Sequence, residues 1–207
     1  MILSSEGIAG LDQRFRTNLI NSITGFKSVA LVGTKSLANQ TNLAILSQII
    51  HVGANPPLIG ILFRPDVVPR HTYSNILASK VFTINHIHSS FVKKAHHTAA
   101  RWEESEFNAC GLTEEWVDGF GAPFVNESHI QIACELVENL DVKANGTHFV
   151  VGKILSIKVP DEVILEDGFV DLEAAGTLTC SGLDSYHQTS KIARFTYAKP
   201  GHEPKEL

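Results

Sequence analysis

Asn145-Gly146 stands between two long runs rich in alternating apolar residues, and this arrangement limits the fold more than any other feature of the chain. Asn-Gly supplies the two positive-φ residues that a tight hairpin turn requires. On its N-terminal side HIQIACELV (129–137) alternates apolar and polar residues. On its C-terminal side THFVVGKILSIKV (147–159) is long for one straight strand, so Gly152 is expected to mark a bulge or bend. A hairpin alone is marginal and needs other strands to cover it. The sequence offers SVALVGT (28–34), LIGILF (58–63) behind a rigid Asn55-Pro56-Pro57, VFTINHI (81–87), and shorter signals at EVIL (162–165) and ARFTYA (193–198).

Helical signals lie between them. Leu11, Phe15, Leu19 and Ile23 share one face of a helix expected over 11–24, with Gly25 as its stop. Thr72 is expected to cap a short helix, TYSNILAS, that ends before Lys80. Residues 90–117 read as helical in pieces: SFVKKAHHTAARW, ESEFNAC, and LTEEWV opened by Thr113. No fixed-period repeat, low-complexity linker or regular βαβ alternation appears. The expectation is one mainly β domain over 1–207, an antiparallel barrel with helical insertions.

Composition narrows the function. With 207 residues, 43% hydrophobic and 19% charged, the chain can bury a core without a disulfide or metal staple. Its three cysteines are far apart in sequence, which suits reduced, buried thiols. No signal peptide or membrane span is legible, so a cytoplasmic location is expected. A net charge of -5 argues against a nucleic-acid-binding surface. The charges are nevertheless segregated. Residues 64–101 hold six basic residues (Arg64, Arg70, Lys80, Lys93, Lys94 and Arg101), one acid (Asp66) and five of the ten histidines. Residues 102–138 hold nine acids and no lysine or arginine. The basic stretch is either a solvated face balanced by its acidic neighbour or a site for a small anion. The paired histidines, His86 with His88 and His96 with His97, lack a legible third metal ligand. Phosphate-loop, dinucleotide-fold, nucleophile-elbow and zinc-helix motifs are absent.

The stretch NLAILSQIIHVGANPPLIGILFRPDVVPRHTYSNI (42–76) resembles the flavin reductase-like, FMN-binding split-barrel family, and is most similar to its flavoredoxin-type branch. Further similarities are Thr83-Ile84-Asn85-His86, Ala95-His96-His97-Thr98, Ser105-Glu106-Phe107, Gly146-Thr147-His148 with Gly152, and Ala193-Arg194 with Tyr197-Ala198-Lys199-Pro200. Together they span about residues 25 to 200. The resemblance implies a Greek-key split barrel that dimerises and binds FMN non-covalently near the dimer interface. It implies that Thr41, Asn42, Leu43 and Ala44 line the flavin, largely through backbone groups, and that Arg64, Arg70, His71 and Thr72 form a phosphate and ribityl contact region. Lys94, His96 and Thr98 would add contacts from the next helix, and His148 would lie near the ring, from the same or the other subunit, as the catalytic residue that orients the hydride donor or the ring. Ser47 is either a cofactor contact or a strand residue; Asn75 is either a ligand contact or a structural cap. Where many relatives carry a proline and an aromatic residue, this chain has Ile45 and Leu46.

These expectations are chemically coherent. FMN carries a phosphate monoester of charge about −2 at neutral pH, arginine offers it a planar fork, and the ring needs an apolar slot such as Leu43-Ala44. The resemblance implies a flavin reductase-type oxidoreductase that accepts hydride from NADH or NADPH, which requires no nucleophile or metal. The alternatives are a flavoredoxin-like carrier passing electrons between redox partner proteins without NAD(P)H activity, and a histidine-rich metal-binding protein. The C-terminal segment 182–207 covers the pocket through Tyr186 and His187 or lies across a dimer.

Overall fold

A computed structural model describes residues 1–207. Helix α1 (Ser5–Ala9) is capped by Ser4. Helix α2 (Gln13–Ser22) begins at Asp12, whose carboxylate accepts from the N–H groups of Arg14 and Phe15. It is shorter than expected, and its apolar face points outward, with Phe15 50% and Ile23 71% exposed. Strands β1 (Lys27–Ser28) and β2 (Ala30–Lys35) divide the first predicted strand. Strands β3 (Thr41–Leu46) and β4 (Ile49–Ala54), not anticipated as strands, precede β5 (Pro57–Phe63). Helix α3 (His71–Ser79) leads into β6 (Val81–His86), followed by α4 (Val92–His97) and α5 (Glu106–Cys110). The short β7 (Glu114–Glu115) and β8 (Phe124–Val125) come before β9 (Gln131–Val142) and β10 (Thr147–Lys158). A 3-10 turn (Asp161–Val163) and strands β11 (Thr179–Ser181) and β12 (Ser185–His187) complete the elements.

Four local expectations are corrected. Thr72 is not the helix cap: α3 starts one residue earlier, with Arg70 at the cap position and no side-chain cap bond. LTEEWV is extended rather than helical, because Glu115 is drawn to Gln131 and Lys158 and Glu127 accepts from the Thr113 N–H. EVIL becomes a 3-10 turn with an isolated bridge from Ile164 to Val170, and ARFTYA makes only the Phe195–Glu206 bridge. No helix is long and apolar enough to cross a membrane.

Seven strands form one antiparallel sheet in the order β3-β2-β6-β9-β10-β5-β4. Its two edges, β3 and β4, are consecutive in sequence and joined only by Ser47 and Gln48. A link this short spans roughly 11 Å at most, so the sheet must curl until its edges meet at that corner. No ladder joins β3 to β4, which leaves a split barrel. The β9–β10 hairpin forms, but its turn is a four-residue loop, 143–146, in which Gly146 at φ +74 and not Asn145 takes the positive φ; a register shift follows at Val151/Gly152 as expected. A Cβ on Gly152 would stand 2.5 Å from the Phe82 ring, so the bend occurs where the buried Phe82 crosses the strand.

Period-2 alternation separates two cores. Ala30 and Val32 of β2 face the barrel interior with Ile61, Phe82, Ile84 and Val150, plugged by Tyr73 and Ile76 of α3. Leu31, between them, faces the opposite side with Leu43, Phe91, Phe107 and Leu178, under α4 and α5.

Candidate functional site

The groove lies beside the corner where β3 passes into β4. Its floor is the end of β3 and the link beyond (Ala44–Gln48), facing Leu62, Phe63 and Arg64 at the end of β5. The loop into α3 supplies Val68–Thr72, the turns after α4 supply Thr98–Trp102, and Asn21, Thr147 and Leu183 complete the rim. The cavity measures about 840 Å³. A second, more polar pocket of about 420 Å³ adjoins it, sharing Asn42, His71, Trp102 and Glu106.

The two ends differ in charge. Arg64, Arg70 and Arg101 all line the larger cavity, and none forms an ion pair. Arg70 makes only a long 3.4 Å contact from Nε to the Pro65 carbonyl. Glu103, Glu104 and Glu106 form an acidic wall in the smaller pocket. Glu106 Oε2 accepts from the Leu43 N–H at 2.8 Å, and burial, partly offset by that bond, holds its carboxyl above the usual range.

Beneath the groove is a buried polar network. Asn42 Nδ2 donates to Thr72 Oγ1 at 2.8 Å, and Asn75 Nδ2 donates to the fully buried Thr34 Oγ1 at 3.1 Å. These bonds lock the start of α3 against β2 and β3 and set the direction in which the Arg70–Thr72 segment faces. The outer edge of β3 is blunted by side chains rather than by another strand: Glu106 takes the Leu43 N–H and Thr98 Oγ1 takes the Ile45 N–H at 3.0 Å.

The fold gathers nine of the residues singled out in the sequence around these two cavities: Thr41, Asn42, Ala44, Ser47, Arg64, Arg70, His71, Thr72 and Thr98. Four others lie elsewhere. The Leu43 side chain is fully buried in the outer core, and its N–H is already bound. Lys94 donates to the Gly111 carbonyl at 2.6 Å. His96 pairs with the Tyr186 hydroxyl at 2.7 Å. His148 sits behind the groove, between Asp141 and Asp66. The C-terminal segment reaches the rim through Leu183, whereas Tyr186 packs against the outer core and burial pushes its phenol up to about 12. Asn75 both holds Thr34 and lines the smaller pocket. Arg101, Trp102 and Glu106 were not singled out as site residues; Arg101 belonged to the basic stretch, but no local pattern placed any of them at a groove. His88 and His129 approach to 4.9 Å between ring centroids, but no group of three His, Cys, Asp or Glu side chains that could hold a metal ion forms.

Residues 26–173 match the flavin reductase like domain, and the chain belongs to that family. It is similar to a solved protein from Shewanella frigidimarina NCIMB 400, assigned as a flavin reductase with a split barrel domain: 47% identity, TM-score 0.92, covering 96% of this chain and 100% of that one. The fold is shared with nitrilotriacetate monooxygenase component B from Bacillus cereus, at 20% identity, TM-score 0.81 and coverage of 94% and 98%. It is also shared with flavoredoxin of Desulfovibrio vulgaris (Miyazaki F), at 21% identity, TM-score 0.70 and coverage of 85% and 91%. Family and fold together define a split-barrel flavoprotein-type oxidoreductase.

Proposed function

We propose that the groove holds FMN non-covalently and that the protein is a flavin reductase-type enzyme, taking hydride from NADH or NADPH and passing the electrons on. The observation that carries this reading is the set of three arginines without carboxylate partners around one cavity with an apolar floor. Unpaired guanidinium groups beside an 840 Å³ cavity suit a phosphate ester attached to a flat apolar ring. Arg64 and Arg70 would bind the phosphate with Arg101 beside them, while the Thr72 hydroxyl and the His71 ring add further donors at the start of α3. Ala44, Ile45 and Leu46 would lie against the ring. Glu106 has one oxygen committed to Leu43, leaving the other for a hydroxyl or N–H of the ligand. Repulsion between Glu106 and a phosphate keeps the anionic end at the arginines, so the groove orients what it binds. Bound there, FMN supplies the hydride-accepting chemistry, and the protein supplies position and charge.

The proposal includes a homodimer and a cytoplasmic location, where reduced nicotinamides are available. Exposed apolar residues at Phe15, Ile20, Ile23 and Phe26 support self-association. The test is the visible spectrum and mass of flavin retained by the purified protein, followed by stopped-flow mixing with NADH and NADPH. Rapid bleaching of the flavin supports the reductase. A flavin inert to both donors makes the protein a carrier between redox partners. A colourless protein that refuses added FMN overturns the reading.

A further inference from the structure

Two of the groove's cations sit on a loop with little to hold it. Residues 65–69, between Arg64 and Arg70, make no backbone–backbone hydrogen bond. Behind this loop stands His148, placed on β10 opposite Asp141 of β9 and Phe63 of β5. Its Nδ1 lies 2.7 Å from Asp141 Oδ1, and its Nε2 lies 3.4 Å from Asp66 Oδ1. The ring stacks on Tyr73 of α3, with centroids 4.5 Å apart and planes 16° from parallel. Asn139 fixes the Tyr73 hydroxyl from the hairpin side at 3.0 Å. His148 is 14% exposed, and Nε2 is covered yet lacks a partner with full hydrogen-bond geometry, so the 3.4 Å contact to Asp66 is ionic in character. Asp66 has no other cationic partner.

We propose that His148 is a positioning residue that ties the arginine-bearing loop to the β9–β10 hairpin through Asp66 and Asp141, and that loosening this tie lowers the groove's affinity for a phosphate-bearing flavin. The affinity consequence rests on the flavin reading above; the tie itself does not. The charged groups facing His148 are Asp141 from β9 and Asp66 from the loop, while α3 and β5 present the rings of Tyr73 and Phe63. The two carboxylates, Asp141 foremost, hold the imidazole above its ordinary value. A raised base gives its full contribution below the unfolded value and loses it as pH rises through the folded one. The tie is therefore charged on the acidic side and released on the alkaline side.

The discriminating variant is Asp66→Asn. By Coulomb attraction alone, removing an acid beside an anion site strengthens phosphate binding. The tie predicts the opposite. At pH 7, FMN affinity of Asp66→Asn and of His148→Gln should fall about three- to fivefold, the order that a partly exposed ion pair supports. Riboflavin, which lacks the phosphate, should bind all three proteins alike. As pH rises through the raised His148 value, the wild-type FMN affinity should decline toward that of His148→Gln, whose profile is flatter. In the flavin-free protein, NMR titration of the His148 imidazole should show a lower value in Asp66→Asn than in wild type. Should His148→Gln fail to fold, Asp66→Asn carries the test, because that carboxylate is 62% exposed. Tighter or unchanged FMN binding by Asp66→Asn, or an equal loss for riboflavin, overturns the proposal. If wild type binds no FMN, the flavin reading and its affinity consequence both fail, and an imidazole titration unmoved by Asp66→Asn then removes the tie as well.

Discussion

At the scale of residues, the groove depends on charges left unneutralised. Arg101 was visible in the sequence only as one member of a basic stretch, yet it lines the same cavity as Arg64 and Arg70. Replacing either Arg64 or Arg101 by alanine should weaken FMN binding by about 1–2 kcal/mol, read by fluorescence titration, if each makes a charge-assisted contact. Riboflavin affinity should hardly move. A different histidine reports on stability. His86, on β6, is partly buried and pairs with the Thr177 hydroxyl, and the loss of solvent around its ring lowers its value to about 4. Its folded value lies below its unfolded one, so the unfolded chain takes up the proton first as pH falls. Stability should therefore drop between about pH 6.5 and 4, by at most roughly 3 kcal/mol from this group. Urea titrations at pH 7, 5 and 4 should show a shallower acid-side loss in His86→Asn than in wild type.

At the scale of elements, what could be read in advance was what local sequence determines. The β9–β10 hairpin and its bend at Gly152 follow from Asn145-Gly146 and strict alternation. The bend is testable. Gly152→Ala drives a methyl into the Phe82 ring and should cost about 1–3 kcal/mol in urea unfolding, the usual range for overpacking. What could not be read was what distant partners determine. Nothing within TNLAIL announces a strand whose outer N–H groups are taken by Glu106 and Thr98, more than fifty residues away. Glu114 and Glu115 carry a good helix-start pattern, but β8, Gln131 and Lys158 hold them extended. Lys94 and His96 were rightly placed on a helix, yet only the packing of that helix decides that they face Gly111 and Tyr186 rather than the groove.

At the scale of the molecule, the pattern of strands and turns already implies an antiparallel barrel, while the split, Greek-key form and the flavin expectation come from the family resemblance alone. The exposed apolar face of α2 with Phe26 is a molecular property of the same kind, meaningful only against another surface. Light scattering should return twice the 22.6 kDa chain mass at micromolar concentration, and a mass of one chain throughout would remove the proposed dimer.

The unpaired seam between β3 and β4 has a consequence for stability. The sheet lacks its last ladder there, and the groove opens beside it, with the end of β3 and the link, Ala44–Gln48, as its floor and the end of β5, Leu62–Arg64, as its opposing wall. A ligand lodged between them would act as a substitute rung, adding about 2.7 kcal/mol of stability when its free concentration is a hundred times its dissociation constant. Under the flavin proposal, the empty protein would open first along this edge, so flavin occupancy would set its resistance to proteases.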